Sequence, residues 1–373
     1  YNNAFGNDAL KVNTASSNTA VGHAALVANT TGALNTAVGA NALATNVSGG
    51  DNVAVGNNAL TVSTGSRNTA LGYNAMTDTT SGQDNTAVGF GSLGNNTTAS
   101  SNTAVGRSAL AANTTGAANV AVGYFSLNEN TTSSNCTAVG YLALRRSTGA
   151  NNTAIGRSAL TANTTGADSV AIGYTALNTN TTGYSNVAIG KQALYLNNSN
   201  NNVAIGHDAL YNCTGTDNVA VGRQAGNNLT SGQNNVVLGY AAQGSAVGVS
   251  NEFTLGNSSI SNLRCADTSI SSLSDARDKT NIQDIPLGLD FVNQMRPVSF
   301  DWDRRDGSYK GRKDFGFIAQ ELKEIQDNTA YAAHMRLVQE DNPEKLEADP
   351  MKTYPVLVKA IQELSAKVEE LQT

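Results

Sequence analysis

Ser274 and Lys279 are residue types that could together break a peptide bond. A serine hydroxyl becomes an effective nucleophile when a neighbouring base takes its proton, and a lysine amine can be that base where burial keeps it neutral. Asp275 and Arg277 lie between the two and carry opposite charges. A serine followed five residues later by a lysine also occurs by chance in most proteins, so the spacing alone identifies no site.

The residues around position 273 separate two parts of different composition. Residues 1–273 hold 9 Lys and Arg and 10 Asp and Glu, whereas residues 274–373 hold 14 and 19. The second part contains all five prolines and the single tryptophan, Trp302, while 32 of the 36 glycines lie in the first. The sequence therefore predicts two domains of different physical character joined end to end.

Charge, cysteine content and hydropathy disfavour several functions. The formal net charge is -6 without a basic run, so we expect no nucleic-acid binding. The cysteines Cys136, Cys213 and Cys265 are too far apart to suggest a disulfide framework or a metal site. No apolar run reaches the roughly 18 residues that span a bilayer, and we expect no membrane insertion. No cofactor is predicted.

A glycine-centred word recurs sixteen times between residues 1 and 256. The glycines lie 16 or 17 residues apart, and each follows a large apolar residue that itself follows alanine in fourteen copies. Leu or Met stands four residues after the glycine in thirteen copies, and Asn stands four residues before it in thirteen. A fixed period of this length is typical of a solenoid in which each repeat forms one coil.

Alternation within the repeat predicts short strands. Words such as Thr19-Ala20-Val21 alternate bulky and small side chains with the period of a β-strand, and the Ala-Leu word after the glycine predicts a second strand. We expect the Val/Ile and Leu positions to form apolar ladders inside a parallel β-solenoid, and the Asn position to form a hydrogen-bonded ladder at a turn. The small Ala and Gly positions would allow close contact with neighbouring chains around a three-fold axis.

These words resemble the head repeats of trimeric autotransporter adhesins, which are left-handed parallel β-rolls built on motifs such as NSVAIG. The resemblance covers nearly all of residues 1–256, although the period is slightly longer here. It implies a homotrimeric β-roll fibre. A triple β-spiral, as in viral fibre shafts, is the main structural alternative.

The residue directly after each glycine varies in type, which predicts an exposed position. Tyr73, Tyr124, Tyr141 and Tyr174 occupy it in four repeats, and Arg107 is among the other occupants. If the shaft binds a receptor on the host cell surface, such as a glycan or an outer-membrane component, these tyrosines are the expected contacts.

A second resemblance begins at Ser274. Residues 274–279 match an SDxRxK pattern, and three further words follow in order: MRPVSF from Met295, GFIAQE from Gly316 and YPVLVKAIQEL from Tyr354. Together they resemble the intramolecular chaperone auto-processing domain at the C-terminus of phage endosialidase tailspikes and many tail fibres.

This second resemblance implies a serine peptidase that cleaves its own chain once. Ser274 would be the nucleophile, Lys279 would act as general base and then acid, and Asp275 and Arg277 would support or position them. The bond cut would be the one between Leu273 and Ser274. Residues 274–373 would then be released after helping the fibre to assemble.

We accordingly predict three parts: a β-solenoid shaft over residues 1–256, a junction over 257–273, and a small α+β chaperone domain over 274–373. Within the last part, residues 318–325 should be helical and residues 301–313 should form a hairpin loop. A closing coiled-coil helix is predicted from Pro355 because apolar residues follow heptad spacing, namely Leu357, Ile361, Leu364, Val368 and Leu371.

Taken together, these features predict the distal part of a phage tail fibre or tailspike that attaches the virion to its host. Because the chain begins at Tyr1, we expect an upstream region that joins it to the virion tail. One alternative is a trimeric adhesin on a bacterial cell surface. Another is a polysaccharide-degrading tailspike, which is disfavoured because residues 1–273 show no paired carboxylates on a recognisable catalytic scaffold.

Overall fold

The computed structural model of the chain describes residues 1–260, 262–264, 274–305, 310–340 and 346–372. The chain forms two units, Tyr1–Asn257 and Ser258–Thr373. The first is a solenoid of about 15 turns, in which sixteen strands of three residues form one parallel sheet in sequence order. The strands β1 to β16 are Asn3–Phe5, Thr19–Val21, Thr36–Val38, Val53–Val55, Thr69–Leu71, Thr86–Val88, Thr103–Val105, Val120–Val122, Thr137–Val139, Thr153–Ile155, Val170–Ile172, Val187–Ile189, Val203–Ile205, Val219–Val221, Val236–Leu238 and Phe253–Leu255.

Each strand pairs with the next without offset, so equivalent residues of successive repeats lie side by side. Ala20 is opposite Ala37, and Val21 is opposite Val38. The prediction of a mainly β, parallel solenoid with one coil per repeat is confirmed.

The predicted second strand after the glycine is wrong. This segment is a succession of turns, because the second and fourth residues after the glycine adopt left-handed backbone conformations, as at Ala24 (φ 54°) and Leu26 (φ 50°). Two left-handed residues so close together break the pleat that a strand requires. They also turn the leucine side chain into the coil, where Leu26 is fully buried.

The Val/Ile positions face outwards, contrary to the prediction that they form an interior ladder. Val21, Leu71 and Ile155 are 37%, 46% and 38% exposed, whereas the alanines between the outward residues, such as Ala20, are completely buried. The leucines already fill the narrow coil from the other side, which leaves room for only a methyl group on the inner face of the strand. The alanines therefore pack inside one chain and do not face neighbouring chains.

Asparagine ladders run through the interior of the solenoid. Asn35 donates its backbone N–H to Oδ1 of Asn18 at 2.9 Å, and its own Nδ2 donates to the carbonyl oxygen of Gly49 at 2.9 Å. This confirms the predicted ladder. A second one joins Asn46 Nδ2 to Asn29 Oδ1 at 2.8 Å, and Asn29 is completely buried although it begins an Asn-Thr-Thr acceptor word for glycosylation. Buried amides that satisfy one another hold each coil in register.

The second unit has short elements around a small core. Its elements are α1 (Leu289–Val292), the antiparallel pair β17 (Val298–Asp301) and β18 (Lys313–Gly316), α2 (Ala319–Asp327), α3 (Ala332–Met335), the pair β19 (Val338–Gln339) and β20 (Glu347–Ala348), and α4 (Tyr354–Gln372). The predicted hairpin and both predicted helices are present. Phe291, Leu322, Leu337 and Val356 are among the residues that form the core.

Helix α4 has two apolar sides, of which only one is covered. Val356 and Ala360 are buried, and Glu363 accepts a hydrogen bond from the backbone N–H of Leu289 at 2.8 Å. The heptad positions point elsewhere, since Ile361 is 66% exposed and Leu364 is 50% exposed. Across the described residues, no helix combines the length and apolarity needed to cross a membrane.

We expect Asn68→Ala to destabilise the shaft. Oδ1 of Asn68 accepts the backbone N–H of Asn85 at 3.1 Å, and its Nδ2 donates to the carbonyl oxygen of Gly82 at 2.9 Å. Each buried group left without a partner costs about 1–3 kcal/mol, so the free energy of unfolding in urea should fall by about 2 kcal/mol or more. Asn57→Ala, at an exposed position of a neighbouring coil, is the control and should change it by less than about 0.5 kcal/mol. Equal effects would contradict a structural role of the ladder.

Candidate functional site

A single turn of 3-10 helix, Ala276–Asp278, separates Ser274 from Lys279. The carboxylate of Asp275 caps its start by accepting the backbone N–H of Arg277 at 2.9 Å. At its end, the backbone N–H of Lys279 donates to the carbonyl oxygen of Ala276 at 3.2 Å. This capped turn folds the chain back on itself and brings the lysine side chain to the serine.

The structure places the two predicted catalytic groups in contact. Lys279 Nζ lies 2.6 Å from Ser274 Oγ and 3.1 Å from the carbonyl oxygen of Ser274. The first distance lies within the range for proton transfer between a nucleophile and its base. A neutral amine at this position could take the serine proton, whereas a protonated one donates to the hydroxyl. Both residues are exposed in the single chain.

Asp275 and Arg277 pair with each other. The guanidinium donates from Nη2 to Oδ2 at 2.6 Å and from Nε to Oδ1 at 3.0 Å. This side-chain hydrogen bonding lowers the pKa of Asp275 and raises the pKa of Arg277. The pair is exposed and screened by solvent, so it adds little to the stability of the fold. Its main effect is on the shape of the turn. Leu273, on the other side of the predicted cleavage site, lies outside the described residues.

The predicted receptor-binding tyrosines line up along the shaft. We call the residues that directly follow the repeat glycines the flank row. Tyr73, Tyr124, Tyr141 and Tyr174 belong to it and are 38–48% exposed. Sequence reasoning missed that neighbouring members of the row touch, which follows from their identical position in successive coils.

Rings and guanidinium groups stack on one another along the flank row. The ring of Tyr124 stacks on that of Tyr141 at 5.4 Å between centroids. Arg107 lies over the Tyr124 ring at 5.7 Å, and Arg157 lies over the Tyr141 ring at 5.7 Å. Such contacts stabilise by about 0.5–1 kcal/mol each at exposed sites. They also cover the ring faces, so that the ring edges and hydroxyls remain available to a ligand.

The two described cysteines of the shaft are packed in its interior. Cys136 and Cys213 are buried in the interior, and burial raises the pKa of both thiols, as expected of unreactive cysteines. Cys265 lies outside the described residues. Within the described ranges, no group of three or more His, Cys, Asp or Glu residues is arranged to hold a metal ion.

Comparison with known proteins gives one finding. Residues 274–331 match the family model of the chaperone of endosialidase, a peptidase family. No curated protein and no solved structure matches the chain. The match begins at Ser274, as the SDxRxK word predicts.

The class of protein follows from these observations. The stacked repeats and the family match fit a tail-fibre or endosialidase-type protein with a C-terminal chaperone. More particularly, a β-solenoid is followed in the sequence by residues 274–331, which match the endosialidase-type chaperone model, and this match implies a self-cleaving peptidase chaperone domain.

We expect Asp275→Ala to slow self-cleavage. Loss of the cap loosens the turn that holds Lys279 at Ser274, and a cap typically stabilises by about 1 kcal/mol, which corresponds to roughly a five- to tenfold slower reaction. The matched control is Asp278→Ala, which removes the other carboxylate from the same turn and should leave the rate within about twofold. The cleaved fraction is followed on denaturing gels. Equal slowing by both substitutions would mean that charge, and not capping, is responsible.

Proposed function

We propose that the chain is a tail-fibre or tailspike protein whose homotrimeric shaft attaches a virion to its host, and whose C-terminal domain cuts itself off after assembly. The contact of Lys279 Nζ with Ser274 Oγ, at the first residue of the family match, is the observation that carries the proposal. The virion tail is the proposed location.

The proposed cleavage converts the amide bond before Ser274 into an ester, which water then hydrolyses. Ser274 Oγ attacks the carbonyl carbon of Leu273 while Lys279 takes the hydroxyl proton. The bond between that carbon and the nitrogen of Ser274 breaks, and Lys279 returns the proton to the leaving amine. Water then hydrolyses the ester, which leaves a carboxylate on Leu273 and restores the hydroxyl of Ser274.

Two apolar surfaces of the single chain support assembly with identical copies. One is the outward Val/Ile face of the solenoid sheet, which runs for about 70 Å at roughly 4.8 Å per strand. The other is the exposed heptad face of α4, from Ile361 to Leu371. Apolar faces of this size usually mark interfaces. Two heptads do not specify the number of copies, and three is proposed from the adhesin-like repeats and the tail-fibre class.

Assembly would also control the timing of cleavage. Ser274 and Lys279 are both exposed in the single chain, and covering them would exclude water from the reacting atoms. We infer that neighbouring copies cover this segment in the assembled precursor. Because all coils are alike, a slip by one coil preserves most pairings, and a C-terminal domain that brings the copies together first would prevent it.

Intact mass tests the cleavage. The freshly expressed 38.5 kDa chain should divide into two species that meet between Leu273 and Ser274. Ser274→Ala should stay whole, because the nucleophile is gone, while Ser258→Ala, which removes a serine upstream of the site, should cleave like the wild type. A Ser274→Ala chain that still loses its last hundred residues would exclude Ser274 as the nucleophile.

Light scattering after size-exclusion chromatography tests the assembly. Ile361→Glu with Leu364→Glu should lower the trimer fraction of the uncleavable Ser274→Ala precursor, because charges on the exposed heptad face cannot be buried between helices. Gln362→Glu with Ser365→Glu adds the same charge elsewhere on α4 and should leave the trimer intact. A precursor that remains trimeric with Glu at both heptad positions would rule out α4 as the trimerising element.

A further inference from the structure

The flank row has an unusual composition over most of the shaft. Eleven consecutive members are either aromatic or basic, and none is acidic: Tyr73, Phe90, Arg107, Tyr124, Tyr141, Arg157, Tyr174, Lys191, His207, Arg223 and Tyr240. The first seven form an unbroken stack. At one end the ring centroids of Tyr73 and Phe90 are 5.2 Å apart, and at the other the guanidinium carbon of Arg157 lies 5.7 Å from the ring centroid of Tyr174. This stack spans about 29 Å at roughly 4.8 Å per coil.

Arg107 and Arg157 are held between rings and are not bonded to carboxylates. Arg107 lies 5.6 Å from the Phe90 centroid and 5.7 Å from that of Tyr124. Elsewhere on the shaft, Arg67 pairs with Asp84, but no ion pair is present at Arg107 or Arg157 among the described residues. A guanidinium whose two faces are covered keeps its in-plane N–H groups for a ligand, and these match a carboxylate in two-point geometry.

A groove of about 460 Å³ lies beside Phe90. It opens where Gly91 and Gly94 provide no side chains, and its lining includes the polar side chains of Asn74, Thr77, Asp78, Asn95 and Asn128. The hydroxyl oxygen of Thr77 is buried without a hydrogen-bond partner among the described residues. Amides, a hydroxyl and a carboxylate around a shallow groove are the groups that bind sugar hydroxyls.

We propose that this stretch of the flank row binds a linear, carboxylate-bearing polysaccharide that lies along the shaft. Its carboxylates pair with Arg107 and Arg157, which are three coils or about 14 Å apart, and one sugar ring sits in the groove beside Phe90. The rise per coil is similar to the length of one sugar residue in an extended chain, so successive residues can meet successive rungs. This inference rests on the proposed role in host attachment and names the class of receptor.

Two other ligands fit less well. A neutral sugar that stacks flat on aromatic rings would need open ring faces, and the faces of Tyr124 and Tyr141 cover each other. A nucleic acid offers few hydroxyls to the amides and the Asp78 carboxylate that line the groove, whereas each residue of a polysaccharide offers several.

The test measures binding of the assembled, wild-type protein to immobilised polygalacturonate, alginate and hyaluronan, with neutral dextran as control. The variant Arg107→Gln/Arg157→Gln removes both guanidinium groups and should weaken binding by about tenfold or more, because charge-assisted pairs are lost. Arg145→Gln/Arg146→Gln is the matched control, since it makes the same charge change at arginines that pair with Glu129, outside the flank row. It should bind within about twofold of the wild type.

Three results would overturn the inference: no retention of the wild type on any carboxylate polymer, equal weakening by both double variants, or loss of the trimer or of the folded shaft in Arg107→Gln/Arg157→Gln. The last would assign the row to stability or to contacts between copies. Mass and oligomeric state are measured on the same samples. A cleaved trimer that ignores these polymers refutes the inference alone, whereas an uncleaved monomer refutes the proposed function.

Discussion

The close approach of successive coils at the glycine column is the constraint on which the rest of the shaft depends. Gly123 has φ 132°, and a Cβ atom there would lie 2.6 Å from the carbonyl oxygen of Gly140 in the next coil. Only glycine allows both the backbone conformation and the contact. Once the coils are this close, the strands pair without offset, the interior is narrow, and every side chain meets its equivalent from the next repeat.

Because the interior is narrow, the single chain leaves large apolar residues exposed on its surface. Alanine, leucine and asparagine fill the inside of the coil, so the larger strand residues such as Val21 and Ile155 are left on the outside. The third residue of every strand is a large apolar one, and an outward apolar row of this length is unusual on a protein that acts alone. The C-terminal unit has the same property, since α4 packs one side on its own domain and leaves its heptad residues uncovered.

The same repetition that stabilises the shaft gives it a chemical surface. Any row of outward positions becomes a ladder with a rung at every coil, and the flank row uses this to hold arginines between aromatic rings. At the other end of the chain, chemistry is arranged by the opposite means. There a single capped turn, with no repeat to support it, brings Lys279 to Ser274.

Much of the architecture could be predicted from the sequence because it depends on local patterns. The period of 16 or 17 residues predicted one coil per repeat, the Thr-Ala-Val words predicted the strands, and the regular asparagines predicted one hydrogen-bonded ladder at a turn. The SDxRxK word predicted that Ser274 and Lys279 act together, and the capped turn places their side chains in contact. The heptad spacing after Pro355 predicted the closing helix.

The direction of the side chains was decided only by the tertiary structure. A period of two shows that a strand has two faces but does not say which is inside, and the bulkier face was wrongly predicted to be buried. The left-handed backbone at Leu26 could not be predicted, because leucine disfavours that conformation and adopts it here only to fill the coil. The buried second ladder at Asn29 and the stacking of the flank row likewise depend on which residues of different coils meet, and that is a property of the folded chain.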